Sequence, residues 1–146
     1  MKKLFISAVL ALSIISSSFA ANVTIGNSRA QRNFSNEFTS AENVTWTSTD
    51  KYAKANFTLG AKSMEAYYDN EGNMIGSSSK IEVADLPTNA KRLFAKKYTG
   101  YTVKEAVQFE GIIETAYYIS AENETQTVIL KVSTAGFVSV FRSVKK

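Results

Sequence analysis

Two short groups of residues have types and spacing that could do chemistry, and the first is a serine-rich run. Ser77-Ser78-Ser79-Lys80 has the S-x-x-K spacing of serine acylases, in which a lysine lies three residues after the nucleophilic serine. Those enzymes are far longer and need further motifs that this chain lacks, and so short a match often arises by chance. We therefore interpret the four residues as a serine-rich edge strand.

Asp69 and Glu71 form the second group. Such a pair of carboxylates could share proton transfer or bind calcium, but this loop lacks the length and the ligand number of a calcium loop. Acidic residues are also common in turns. The chain has no histidine and no cysteine, which removes the usual ligands of zinc and copper. We therefore predict no metal site, no cofactor and no enzyme activity.

Aromatic residues on predicted strands are the stronger candidates for binding. We predict that Trp46, Tyr67, Tyr118 and Phe141 contact a partner. Tyr67 and Phe141 alternate with residues assigned to the core, so some aromatic rings should lie on an open sheet face, where they suit protein or glycan contact. Rings on neighbouring strands can equally pack on each other. The sequence leaves both alternatives open.

The first 20 residues have the three parts of a secretory signal peptide. Lys2 and Lys3 are followed by an apolar run at 4–15, and Ser18 and Ala20 are small residues where signal peptidase cleaves. The apolar run is shorter than the ~20 residues that a spanning helix needs. We therefore predict cleavage near Ala20, a mature domain at 21–146 without stable membrane insertion, and a periplasmic or secreted location.

Charge and cysteine content limit the partners and the source of stability. Without Lys2 and Lys3 the mature chain has 15 basic against 13 acidic residues, which is too even a balance to predict nucleic-acid binding. The absence of cysteine excludes disulfides. A hydrophobic core must then supply the stability, which a domain of this length can do.

Hydrophobic periodicity predicts a helix and four strands in the first half. Ala30, Phe34 and Phe38 recur every four residues, which indicates a helix at about 29–38 with Ser28 as its N-cap. Residues 53–59 alternate between apolar and polar, as in a half-buried strand. Further strands are predicted at 44–48, 62–69 and 74–81, with Gly72 in the turn before the last.

The sequence pattern of the second half predicts the same order of elements, a helix followed by four strands. Pro87 opens a helix whose apolar positions are 90, 93, 94 and 98, and strands follow at 101–110, 112–121, 125–133 and 137–144. Gly136 would occupy the turn equivalent to that of Gly72. Because the strands of this half are more apolar, we expect Gly136→Val to destabilise the protein more than Gly72→Val.

The two halves are also alike in sequence. Ala30-Gln31-Arg32-Asn33-Phe34 aligns with Ala90-Lys91-Arg92-Leu93-Phe94, 60 residues later. A helix followed by consecutive strands implies an antiparallel sheet with one face under helices. We therefore predict an α+β fold of two helix-plus-four-strand repeats, at about 28–81 and 85–144, that form one antiparallel sheet with both helices on one face.

At this point the chain resembles the PepSY-like, beta-lactamase-inhibitor-like secreted proteins of the Bacteroidetes. The resemblance covers nearly all of the mature chain and implies an α+β fold with a concave antiparallel sheet, a periplasmic or secreted location and no known catalysis. It rests on the following motifs: Val44-Thr45-Trp46, Ala66-Tyr67-Tyr68-Asp69-Asn70-Glu71-Gly72, Asp85-Leu86-Pro87, and Lys97-Tyr98-Thr99-Gly100-Tyr101 with Glu105-Ala106.

Two functional hypotheses follow. In the first, the chain is a non-catalytic binding protein that holds, or inhibits, a protein of the cell envelope through the open face of its sheet. In the alternative, the concave face binds a small ligand or a glycan, with Trp46 and tyrosines stacked on sugar rings.

Overall fold

The computed structural model describes residues 27–146, which divide into two compact units after Ser79. The predicted signal peptide and the cleavage near Ala20 lie outside the described residues. Each unit contains one α-helix followed by four strands, and every strand pairs antiparallel with the next strand of its unit. The predicted α+β class is therefore confirmed, with far more strand than helix.

The first unit begins with helix α1 (Ser28–Glu37). Its strands are β1 (Ala41–Ser48), β2 (Ala53–Leu59), β3 (Lys62–Tyr68) and β4 (Met74–Lys80). The alternation at 53–59 predicted β2 with its observed bounds, and its odd-numbered residues face α1.

The N-cap of α1 is Asn27, which corrects the prediction of Ser28. The Asn27 side-chain oxygen accepts a hydrogen bond from the backbone N–H of Ala30 at 3.0 Å. Its amide nitrogen donates to the carbonyls of Asp69 and Asn70, at 3.2 and 3.3 Å. An asparagine side chain has both a donor and an acceptor, so this residue caps the helix and also ties its first turn to the β3–β4 turn.

Aromatic rings fill the space between α1 and its sheet. The Phe34 ring lies 4.9 Å from Phe57, 5.4 Å from Trp46 and 5.2 Å from Phe38, between ring centroids. The rings of Phe57 and Trp46 meet it edge-on, which is a favourable geometry for aromatic pairs. The small residues Ala30, Ala53, Ala55 and Ala66 let the helix approach the strands closely.

The second unit contains a short 3₁₀ turn (Val83–Asp85), helix α2 (Thr88–Lys97) and four strands. The strands are β5 (Thr102–Gly111), β6 (Thr115–Glu122), β7 (Gln126–Ser133) and β8 (Val138–Lys145). Its core is aliphatic: Leu86 and Ala90 pack with Ile119, Val128 and Leu130. Pro87 is the residue just before α2, where its missing N–H leaves no bond unmade.

The predicted strand 112–121 begins too early. The backbone N–H of Gly111 donates to the carbonyl of Glu114 at 3.0 Å, which closes a turn, and β6 starts only at Thr115. Ile112 and Ile113 favour strands by propensity, yet both lie exposed in this turn.

Gly72 and Gly136 occupy matching turns, as predicted. Their φ angles are 82° and 85°, in the left-handed region that favours glycine. Gly72 N–H donates to the carbonyl of Asp69 at 3.0 Å, and Gly136 N–H donates to that of Ser133 at 2.9 Å. The side-chain oxygens also act alike, because Asp69 Oδ1 accepts from Asn73 N–H and Ser133 Oγ accepts from Phe137 N–H.

No helix within residues 27–146 has the length and apolar character needed to cross a bilayer.

Candidate functional surfaces

In each unit the helix covers one face of the sheet, and we call the opposite face the helix-free face. Side chains alternate between the two faces along a strand. In the first unit the helix-free face carries Lys54, Glu65, Tyr67 and Ser78, since their neighbours Ala53, Ala55, Ala66 and Tyr68 pack toward α1.

Glu65 is the centre of a polar network on this face. Lys54 Nζ lies 2.9 Å from Glu65 Oε1, and the side chains are 13% and 28% exposed. Glu65 Oε2 accepts hydrogen bonds from the Tyr67 hydroxyl and, at 3.4 Å, from Ser78 Oγ. The Tyr52 ring lies 6.2 Å from that of Tyr67, and burial, followed by the Glu65 charge, raises the pKa of Tyr52. The network thereby joins three strands.

The S-x-x-K serine and lysine do not meet. Ser77 and Lys80 are three residues apart on β4, so their side chains point to opposite faces of the sheet. Ser77 is buried, whereas Lys80 is exposed. The interpretation as part of a strand is confirmed, and the spacing forms no nucleophile–base pair.

The helix-free face of the second unit is built around Tyr118 and Phe141. Their rings meet edge-on at 5.4 Å, with Tyr118 on β6 and Phe141 on β8. Burial, followed by the charge of Glu114, raises the pKa of Tyr118 to about 12. Phe141 remains partly exposed. The β7–β8 register shifts at this residue, so exposed Arg142 pairs with Ile129 on the same face and gives the apolar surface a charged border.

The structure does not place the four predicted binding residues on one surface. Trp46 packs against Phe34 and Tyr68 on the helix-covered face, so it is a core ring and not part of an open face. Tyr67 is 0% exposed and Tyr118 is 3% exposed, and neither ring can meet a partner directly. This corrects their predicted role as contact residues. Among the three on a helix-free face, only Phe141 keeps an accessible ring, which packs against Tyr118.

Exposed apolar side chains form a second surface that the sequence analysis missed. Ile112 and Ile113, in the β5–β6 turn, are 76% and 65% exposed, and Phe137, in the β7–β8 turn, is 76% exposed. Ala116 pairs with Ser133, so both turns lie at the same end of this unit's sheet. Isoleucine is unusual in a tight turn, which is the signal that could have identified this surface.

A groove beside α1 is the third candidate. It has a volume of about 400 Å³ and is lined by Asn33, Asn36, Glu37, Asn73 and Met74, all in the first unit. Asn33 Nδ2 donates to the carbonyl of Gly72 at 2.7 Å, which joins α1 to the β3–β4 turn. We call this open depression the α1 groove. Its polar residues are scattered in the sequence and gave no motif.

A buried hydroxyl lies close to this groove. Tyr68 is 0% exposed, and its hydroxyl has no hydrogen-bond partner within the described chain. Burial, followed by the charge of Glu37, raises the pKa of Tyr68 well above its usual range. Within residues 27–146, no group of three or more acidic side chains is placed to hold a metal ion.

Searches with the sequence find no match among protein-family descriptions or curated proteins. The fold, by contrast, has solved relatives. A DUF2874 family protein from Bacteroides uniformis matches with a TM-score of 0.72 and 13% identity, over 82% of this chain and 89% of its own. A BLIP-like protein from Bacteroides fragilis matches with a TM-score of 0.70 and 16% identity, over 85% of this chain and 89% of its own.

A third structure, from Bacteroides eggerthii, matches with a TM-score of 0.73 and 11% identity, over 84% of this chain and 90% of its own. Its name places that protein provisionally in the periplasm. At these identities the likeness concerns the fold alone. This chain therefore has the fold of BLIP-like and DUF2874 proteins.

Proposed function

We propose that this chain is a non-catalytic binding protein of the cell envelope, which holds a protein partner through the helix-free face of its second unit. The carrying observation is the Phe141 ring, which is fixed edge-on by the buried Tyr118 yet remains accessible. The β7–β8 register shifts between Ile129 and Leu130, so exposed Arg142 and Val144 pair with Ile129 and Thr127 and share the helix-free face. An aromatic anchor with arginine and aliphatic neighbours is typical of the centre of a protein interface.

The residues that suggested chemistry have structural tasks, which supports a role without catalysis. The Asp69 carboxylate accepts hydrogen bonds from the N–H groups of Glu71 and Asn73, at 2.9 and 2.8 Å, and so holds the β3–β4 turn. Ser77 and Lys80 lie on opposite faces of β4. The envelope location is supported by the predicted signal peptide and by the fold shared with a protein whose name refers to the periplasm.

Two further proposals concern ancestry. Each unit has a helix followed by four strands, and the Gly72 and Gly136 turns make the same hydrogen bonds, which supports a tandem repeat. The motifs that resemble PepSY-like proteins of the Bacteroidetes, together with the BLIP-like fold, support membership of that group.

Position-specific crosslinking tests the proposed face. A photo-reactive phenylalanine analogue at position 141 should give a discrete crosslinked species in periplasmic extract. The same analogue at Phe137, an exposed aromatic position in a turn, is the matched control and should not give that species. The same species from both positions, or from Phe137 only, would contradict the assignment of the face. A shift in melting temperature with cell-wall or polysaccharide fragments, without any crosslink, would favour the alternative of glycan binding.

A further inference from the structure

The hydrogen-bonding groups of the α1 groove are mainly acceptors. The amide nitrogen of Asn33 is bound to the carbonyl of Gly72, and that of Asn73 is bound to the carboxylates of Asp69 and Glu71, at 3.1 and 3.3 Å. The side-chain oxygens of both asparagines, and the carboxylate of Glu37, accept no hydrogen bond from the described residues. These acceptors line one groove together with Asn36, whose amide offers donors as well as an acceptor.

The charged side chain that lines the groove is acidic. Glu37 lines it, and Asp69 and Glu71 hold the turn that carries Asn73. Two cationic side chains belong to the same helix: the Cβ and Cγ of Arg29 lie against Gly72, and exposed Arg32 precedes Asn33. Asp69 is engaged with the turn and Glu71 does not line the groove, so Glu37 is the carboxylate that a ligand in the groove would meet.

The Tyr68 hydroxyl is the second observation that indicates a ligand. A buried hydroxyl without a partner costs free energy, and such a group in a folded protein calls for an explanation. Met74 is the Cα partner of Tyr68 across β3 and β4, and it also lines the groove. Tyr68 therefore packs in one cluster with a flexible side chain that lines the groove and can adopt other rotamers.

We propose that the α1 groove binds a small molecule with a primary ammonium group, such as an amino sugar or a polyamine. An ammonium has three donors and no acceptor, which matches the Glu37 carboxylate and the side-chain oxygens of Asn33 and Asn73. Rotation of Met74 exposes the Tyr68 hydroxyl to the bound molecule and gives it a partner. This site is separate from the proposed protein-binding face, since it belongs wholly to the first unit.

Titrations with matched ligands test the recognition of the ammonium. Glucosamine and glucose differ at one position by an amine and a hydroxyl, and spermidine supplies ammonium groups without a sugar ring. Amide chemical shifts of residues 33–37 and 73–74 should move with glucosamine and not with glucose. A response to spermidine as well would identify the ammonium alone as the ligand chemistry, and a response to glucosamine only would identify an amino sugar. Equal responses to glucose and glucosamine would overturn the proposal.

Two variants test the residues. Glu37→Gln keeps the shape of the side chain and removes its charge, and it should weaken glucosamine binding by about tenfold. Glu42→Gln, at an exposed carboxylate on β1, is the control and should bind like the wild type. Unchanged affinity in Glu37→Gln, or an equal loss in both variants, would overturn the site.

Tyr68→Phe separates a binding role from a structural one. Removal of an unpartnered hydroxyl should leave the melting temperature of the free protein unchanged or higher. The same change should weaken glucosamine binding, because the ligand loses a hydrogen bond. Binding at wild-type affinity in Tyr68→Phe would exclude the hydroxyl from the site.

Discussion

Lys54 Nζ lies 2.9 Å from Glu65 Oε1, between neighbouring strands of the first unit. The same carboxylate accepts hydrogen bonds from Tyr67 and Ser78, so the ion pair is one part of a larger network. Lys54 keeps only 13% of its side chain exposed. A pair that is this shielded from water is screened less than a surface pair, and the loss of one partner leaves the other charge poorly solvated.

Lys54→Met should therefore destabilise the protein by roughly 1–3 kcal/mol, because Glu65 keeps its charge and loses its cation. Urea melts at pH 7 measure the change. Lys104→Met is the matched control: Lys104 is 55% exposed, and its partner Glu122 keeps a second cation, Lys146, at 3.0 Å. The control should have almost the unfolding free energy of the wild type. An equal loss in both variants would show that the network on β2–β4 stabilises the protein no more than an exposed ion pair does.

Phe34 is the aromatic residue on which the packing of α1 depends, because its ring touches Phe38, Trp46 and Phe57. Phe34→Ala should cost about 3–5 kcal/mol, the usual range for removing a buried aromatic ring. Trp46 is the only tryptophan, so its fluorescence reports on this cluster alone. Phe137→Ala removes a ring that is 76% exposed. The free energy of unfolding, measured by this fluorescence, should stay within about 0.5 kcal/mol of the wild type. A small effect of Phe34→Ala would mean that the helix is held mainly by other contacts.

The raised pKa of Tyr118 predicts a loss of stability in alkali. Burial raises this pKa from about 10 to about 12, so above pH 10 the unfolded chain releases the proton while the folded chain keeps it. The contribution of Tyr118 is therefore complete below pH 10 and decreases by about 1.4 kcal/mol per pH unit between the two values. Tyr118→Phe should show a shallower decrease of the unfolding free energy between pH 10 and 11.5. From pH 7 to 9, plots of unfolding free energy against pH should be parallel for the wild type and Tyr118→Phe. Plots that stay parallel above pH 10 would contradict a raised pKa of Tyr118.

Local patterns predicted the elements of this fold well because they depend on local physics. The alternation at 53–59 arises from one face of β2 being buried, and Gly72 and Gly136 mark backbone that other residues avoid. The N-cap was assigned to Ser28 since a serine can cap a helix in isolation. Asn27 takes that position because its amide also reaches two carbonyls more than 40 residues away, which no local pattern encodes.

The candidate sites were predicted less well, since they depend on which face each residue takes. Trp46 was placed with the binding residues, but the pairing of β1 with β2 shifts between Glu42 and Thr45, and Asn43 has a φ of 54°. After this shift Trp46 pairs with Ala55, which packs toward α1, so the Trp46 ring lies on the helix-covered face. The α1 groove was missed altogether, because Asn33, Asn36 and Asn73 come together only when the β3–β4 turn meets the helix.

Alanine substitutions at Gly72 and Gly136 should reverse the order expected from the sequence. Both positions have positive φ, so each variant carries backbone strain of about 1–3 kcal/mol. A Cβ on Gly72 would also lie 2.8 Å from the backbone nitrogen of Ala30 and 2.8 Å from the Cβ of Arg29, in the first turn of α1. On Gly136 the nearest atom would be the Cβ of Asn89, at 3.1 Å.

The helix backbone next to Gly72 cannot move without breaking the Asn27 cap, whereas the surroundings of Gly136 need to shift by only a few tenths of an ångström. Gly72→Ala should therefore lower the urea midpoint more than Gly136→Ala. Overpacking at Gly72 should add roughly 1–3 kcal/mol to the loss of unfolding free energy. Gly60→Ala is the control for strain alone, because its φ is also positive and a Cβ there would meet nothing within 4 Å. A larger loss in Gly136→Ala would show that the more apolar second unit, and not the contact with α1, decides the cost. Equal losses in all three variants would leave backbone strain as the whole effect.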